Sequence, residues 1–455
     1  MQQTEKNKMG TMPMLRLILS MSLPAMLSMT VQAMYNVVDS YFVAQVSENA
    51  LTAVSLVFPM QTFLIAVGAG TAVGLNSLIS RRLGEKRQSD ADSAATHGIP
   101  LGVLNWILFI FIGVFFSESF IQSFNAALEV QNMAVQYMSI NCIFSLGVFV
   151  EINIEKILQA TGNMMYPMIF QMIGAITNII LDPIFIFGLF GVPRMEVAGA
   201  AIATVIGQNV AMIVSLTVIF TKEHKVKIDL KNFRPNKSII RDIYAVAFPS
   251  IIMQAIGSVM VVGINAIIIS FTETAVAVFG VYYKLQSFVF IPVFGLMQGV
   301  MPVIGYNFGA RKHGRLMDAI KIGCAIALVI MFIGTAVFLL IPEKLLSIFN
   351  ASKDMLAIGT PALRTICLCF LPAAIGISFS NVFQAVGHGF MSLVISLLRQ
   401  LVVLLPAAYF LSNIGLHAVW YAFPIAEGVS LAASIIMFCR LNSTVLCKIG
   451  SGEET

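Results

Sequence analysis

Two short stretches hold acids inside otherwise apolar runs. "MYNVVDSYFVA", residues 34–44, carries Asp39, with Tyr35 four and Asn36 three residues before it on the same helical face. "NIILDPIFIFG", residues 178–188, carries Asn178 and Asp182 one turn apart, so an amide and a carboxylate converge on one ion or one proton-linked hydrogen bond. An Asp at mid-membrane costs about 2.5–3.5 kcal/mol to insert, and such acids face a bundle interior or a water-filled cavity. Protonation or cation binding relieves that cost, so the chemistry on offer is reversible capture of H+ or Na+. Pro183 gives no N–H to the carbonyl of Ile179, which leaves a backbone oxygen beside the pair. Pro24 does the same near the inner part of the first span, and both prolines are hinge positions.

The surrounding elements follow from composition. The 455 residues are 58% apolar and only 11% charged, against about 25% charged in a soluble average. Charge-poor runs of some twenty residues suit helices across a hydrocarbon core of about 30 Å and exclude the alternating strands of an outer-membrane barrel. The expected fold is an all-α polytopic membrane protein with twelve spans near 16–40, 52–78, 96–117, 133–155, 164–188, 197–219, 242–269, 277–303, 319–341, 360–382, 390–411 and 416–438. The six cysteines read as small buried hydrophobes, since none forms a CxxC pair.

With the N-terminus inside, twenty-one of the 27 Lys and Arg fall on cytoplasmic tails and loops, against Arg194, Lys344 and Lys353 outside. Both termini are therefore expected in the cytoplasm, and the polar start reads as a tail before an uncleaved first span. The expected organisation is a tail at 1–15, a six-helix lobe at 16–219, a basic linker at 220–241, a second six-helix lobe at 242–438 and a tail at 439–455. The linker's positive charge suits anionic lipid headgroups rather than nucleic acid.

A shift of 225 residues superimposes the halves without a gap through four spans. Pro24 meets Pro249, Glu48 meets Glu273, Gln61 meets Gln286, Gly70, Gly74 and Gly84 meet Gly295, Gly299 and Gly309, and "LQATG" at 158–162 meets "FQAVG" at 383–387. Parallel repeats of six spans are transporter architecture, with a site between bundles that opens alternately to either side. No GxxxxGK[ST], HExxH or GxSxG is present, which argues against an ATP-driven pump or an intramembrane hydrolase. The five histidines fall at loops or span ends.

Other groups read as structural. Glu151, Glu155 and Lys156 form an expected interfacial cluster at the inner end of span four. Arg399 and Glu427 are an expected buried pair across facing helices, and Lys284 is expected to snorkel. Met164, Met168 and Met172, with Met34, could offer an adaptable apolar wall, although ordinary lipid or core packing is the preferred reading.

The motifs "NVVDSYFVA", "SRRLGEKR", "LQATGN", "NIILDPIFIFG" and "GYNFGARKHGR" give the chain, over residues 10–440, a resemblance to the multidrug and toxic compound extrusion (MATE) family. It resembles the DinF-like and MepA-like branches more than the NorM-like one. The resemblance implies two six-helix lobes in a V, a central cavity, and export of cationic or amphiphilic compounds in exchange for H+ or Na+, with no other cofactor, by a monomer in a bacterial inner membrane. It also implies ion coupling at Asp39, Asn178 and Asp182, joined by a span-six hydroxyl. The matching position is Ala200, with Thr204 one turn further. The acids that NorM-like members carry in spans seven and ten are missing, where Gln254, Asn265, Ser378, Ser380 and Asn381 stand instead. A flippase for lipid-linked or other amphiphilic metabolites is the alternative, but anionic headgroups call for cavity Lys or Arg rather than acids.

Overall fold

Long apolar runs with few breakers fold as helices, because in hydrocarbon every backbone N–H and C=O needs an internal partner. The computed structural model describes residues 7–349 and 351–449; the first six and last six residues of the expected tails, Lys6 among them, lie outside the described residues. Among the described residues there are helices and no strand.

The first half holds α1 (Met14–Ala44), α2 (Glu48–Gly84), α3 (Gln88–Phe115), α4 (Leu128–Ile143), α5 (Leu146–Ala160), α6 (Met165–Phe187) and α7 (Glu196–Thr221). The second holds α8 (Lys237–Ile268), α9 (Glu273–Gly309), α10 (His313–Leu340), α11 (Lys353–Ala385), α12 (Gly389–Ser412) and α13 (Leu416–Ile449). Eleven of these are long and apolar enough to cross a membrane, and the bent pair α4 and α5 makes a twelfth span.

That pair corrects the expectation of one continuous helix over 133–155. The two pieces meet at 46°. No proline is responsible. The carbonyl of Ile143 leaves the helical ladder and accepts from Trp106 Nε1 of α3 at 2.7 Å, while Ser145 Oγ donates to the Cys142 carbonyl at 2.8 Å. Side-chain donors that satisfy freed carbonyls are one of the ordinary causes of a helix break.

The repeat is realised element by element. Helices α2 and α9 are both 37 residues, α3 and α10 both 28, and each pair begins and ends at the same shift of 225. The turns that end α2 and α9 place Lys86 and Arg311 at positive φ, 61° and 54°, again at that shift.

The chain forms two compact units, one of Leu27–Ile251 and one of residues up to Met26 together with Ile252 onward. The start of α1 thus belongs with the second half, and the start of α8 with the first. In one unit the α9 glycines admit it: a methyl on Gly295 would stand 2.6 Å from Met26 Cα, and one on Gly299 2.7 Å from Ser22 Cα. In the other, Gly70 and Gly74 of α2 receive Ile251 and Ala247 of α8. Small residues four apart are what lets helix backbones approach this closely in a membrane.

Cysteine burial follows position more than type. Cys142, Cys367 and Cys369 are buried as expected, but Cys324 is only half-buried, and Cys439 and Cys447, on the last helix, are exposed. The late turns of α13 have little packed against their outer face, so these thiols end at the surface.

Candidate functional site

The site is built within the unit of Leu27–Ile251. Asn178 and Asp182 are buried on α6, Asp182 completely. Asn178 Nδ2 donates to Asp182 Oδ1 and to Thr204 Oγ1 of α7, both at 3.2 Å. Glycines bring α7 this near: a methyl on Gly207 would lie 2.8 Å from the Gly174 carbonyl oxygen, and one on Gly199 2.5 Å from that of Phe185. The hydroxyl beside Asn178 is thus Thr204, whereas Ala200 is packed into an apolar core with Ile186 and Val197.

Asp39 is half-buried on α1 and lies within electrostatic reach of Asp182. Tyr35 is in reach of both acids. So is Tyr137 of α4, whose hydroxyl accepts from Gln61 Nε2 of α2 at 3.0 Å. Neither Tyr137 nor Gln61 stood out in the sequence as a site residue. A partial signal existed for Gln61, an amide within an apolar span that the repeat preserves as Gln286.

Three oxygens of this group, Asp39 Oδ1, Asn178 Oδ1 and Asp182 Oδ2, are buried with no hydrogen-bond partner among the described residues. A buried acceptor left unpaired costs about 1–3 kcal/mol, so three together form a set that a positive charge relieves. Two carboxylates, an amide oxygen and the Ile179 carbonyl opposite Pro183 are all-oxygen donors, the kind that hold Na+ near broken transporter helices. A proton needs only the two acids. No group of three or more His, Cys, Asp and Glu that would hold a metal ion occurs among the described residues.

The remaining candidates are less concentrated. Asn36 and Met34 are exposed, Met168 and Met172 half-buried and Met164 buried. Arg399 Nη1 of α12 donates to Glu427 Oε1 of α13 at 2.9 Å, the pair expected from the sequence, where α12 widens into a π-helical stretch over Leu398–Leu404. Glu151, Glu155 and Lys156, the cluster expected at the inner end of span four, are buried within the protein. Helix α5 runs on to Ala160, so they lie inside it, only 7%, 4% and 8% exposed, with Gln171 of α6 closing over Glu155.

A doubled set of apolar helices, with unpaired buried carboxylates in one half alone among the described residues, defines a polytopic membrane protein of transporter type. The chain belongs to the MatE family, whose model matches residues 24–184 and again 249–410, one copy in each half. It is 28% identical over 431 residues to the multidrug export protein MepA of Staphylococcus aureus (strain MSSA476), covering 94% of each chain. Among solved structures it is similar to the outward-facing conformation of a multidrug resistance MATE family transporter of the MOP superfamily, with a TM-score of 0.89, 28% identity, and coverage of 98% of this chain and 99% of that one. It is equally similar, at TM-score 0.89 and 28% identity over 97% and 99% of the two chains, to a MOP superfamily transporter from Pyrococcus furiosus.

Proposed function

We propose that the protein is a secondary active multidrug efflux antiporter of a bacterial inner membrane, which exports cationic or amphiphilic small molecules in exchange for H+ or Na+. The observation that carries this reading is the set of three unpaired buried oxygens on Asp39, Asn178 and Asp182, with Asn178 bonded to Asp182 and the two acids within electrostatic reach of each other. Membership of the MatE family and the likeness to a multidrug export protein supply the substrate class.

In this reading both termini face the cytoplasm and the site opens outward first. A cation entering from outside binds between Asp39 of α1 and the Asn178–Asp182 pair of α6, and removes the repulsion between the two acids. Thr204 keeps the Asn178 amide turned so that its oxygen faces the cation. Neutralised, α1 moves relative to α6 about Pro24, where the missing N–H weakens the helix, and the substrate is released outward. The halves then exchange access and the cation leaves on the cytoplasmic side, which restores the unpaired acids.

Transport by purified protein in proteoliposomes tests this, with pH and Na+ gradients imposed separately and a panel of cationic dyes. Wild type is expected to move dye against its gradient when one of the two is imposed, and the pair Asp39→Asn with Asp182→Asn to lose that coupling. Gradient-driven efflux that survives unchanged in the double variant would overturn the assignment.

A further inference from the structure

A second polar layer lies on the same two helix faces as the acids just described. Ser28, Tyr35 and Asp39 on α1, and Gln171, Asn178 and Asp182 on α6, share one spacing of seven and then four residues. Seven and eleven residues are two and three helical turns to within about 20°. Each helix therefore carries one polar stripe roughly 16 Å long.

The early end of both stripes closes on α5. Ser28 Oγ donates to Gln171 Oε1 at 3.0 Å, and Gln171 Nε2 donates to Glu155 Oε2 at 2.9 Å. The other oxygen of Glu155 accepts from Gln159 Nε2 at 2.6 Å and from Lys156 Nζ at 3.4 Å, while Lys156 Nζ also donates to Gln159 Oε1 at 2.8 Å. One turn earlier on α5, Glu151 is buried, and its Oε1 has no hydrogen-bond partner among the described residues. Glu155 and Lys156 are the ionisable groups that act on it electrostatically. Among the described residues two carboxylates share one ammonium, so the layer there is short of one positive charge.

The internal repeat is a control for what the fold itself needs. At the shift of 225, Glu151, Glu155, Lys156 and Gln159 become Gly376, Ser380, Asn381 and Gln384. The second half builds the same helix with no charge at any of the four positions. Packing therefore does not demand the two acids of the first half.

We propose that Glu151 and the Glu155–Lys156 pair form a second cation site, three turns along the α1 and α6 stripes from Asp39 and Asp182, which takes one monovalent cation, H+ or Na+. A cation here neutralises the layer, as the Lys156 ammonium alone does not. The proposal rests on the antiport reading in one respect: the cation is the one that the Asp39–Asp182 site gives up toward the cytoplasm.

Two measurements separate this site from the first. Infrared difference spectra of the purified protein, taken on lowering pH and separately on adding NaCl in place of choline chloride, report carboxyl groups that change state. A carboxyl signal is expected to persist in the Asp39→Asn, Asp182→Asn double variant and to vanish when Glu151→Gln is added to it, with Glu151→Asp in its place restoring it. The restored signal in the Asp variant excludes a folding defect as the cause of its loss. In proteoliposomes, Glu151→Gln is expected to shift the inhibitory cation concentration on the cytoplasmic side by about tenfold, with the outer half-activating concentration unchanged. If Glu151→Gln spectra superimpose on wild type, or the double variant loses every carboxyl signal, there is no second site. Failure of wild type to transport under any gradient would instead defeat the antiport reading, and the infrared signals would still decide this one.

Discussion

Asn178 has two amide hydrogens and spends one on Asp182 and one on Thr204, which leaves its carbonyl oxygen free to face a cation. That makes Thr204 a positioning residue, and its loss should be read in cation affinity. Thr204→Val keeps the shape but removes the acceptor, stranding a buried donor at a cost of about 1–3 kcal/mol. The half-saturating cation concentration for dye efflux is expected to rise roughly tenfold, while Thr204→Ser stays close to wild type. An unchanged value in the Val variant would mean that the amide is oriented by Asp182 alone. Asp39, Asn178 and Asp182 were legible in the sequence because a charge or amide in an apolar run stands out by its solvation cost. Tyr137 and Gln61 were not, because an aromatic carries no such penalty and their pairing depends on how α2 and α4 face each other. The acids of α5 were legible as acids, but their burial was not, since it depends on the Gln171 amide of the neighbouring α6.

The linker between the two halves is held by specific hydrogen bonds. The basic linker before α8 is pinned along α3 and its neighbour turn: Lys227 N–H donates to Asp92 Oδ1 at 2.9 Å, Asp229 N–H to Thr96 Oγ1 at 3.2 Å and Asn236 N–H to His97 Nε2 at 3.0 Å. Its own turn is closed by Asp229, whose carboxyl is held below the ordinary range first by the Asn232 side-chain amide, and further by the backbone N–H groups of Asn232 and Lys231. The sign follows from that depression. The turn's stabilisation is complete above the ordinary carboxyl value of 3.8 and is lost only as pH falls through the lower, folded value. Amide exchange at Lys231 and Asn232, corrected for the intrinsic rate, is thus expected to be flat from neutral pH to about 5, and to accelerate at neutral pH in Asp229→Asn. Protection that already fades near pH 6 would assign the turn to another group. The sequence showed this stretch only as a run of charge. Its docking depends on Asp92 and Thr96 lying one turn apart on α3 with His97 next to them, which no composition signal reports.

At the scale of the whole chain, the repeat predicts energetics as well as shape. The division into compact units falls after Met26 and after Ile251, and those two residues are themselves repeat partners. The sequence announced the repeat through conserved spacing of Gly and Pro between its halves. It did not announce that the leading part of α1 belongs with the second half and that of α8 with the first, because hydropathy fixes where a helix lies and not which neighbours it packs on. The glycines make the consequence measurable. A side chain on Gly74 would meet the backbone of Ile243 and the Ala247 methyl, and one on Gly299 would meet Ser22 at its Cα, so neither clash is relieved by rotating a side chain. Gly280 has no atom within 4 Å of an added methyl and serves as the control. Overpacking of this kind costs about 1–3 kcal/mol, whereas Gly→Ala in an open helix position gains about 0.5–1 kcal/mol. Thermal unfolding of the purified protein in detergent is therefore expected to show Gly74→Val and Gly299→Val destabilised by similar amounts, with Gly280→Ala unchanged or slightly more stable. Ser22 also donates to the Leu296 carbonyl at 3.0 Å, a bond that Ala247 cannot make at the equivalent place. Any difference between the two variants should therefore run toward the greater loss at Gly299. Equal stability of wild type and both Val variants would show that the two close crossings contribute nothing to holding the units together internally.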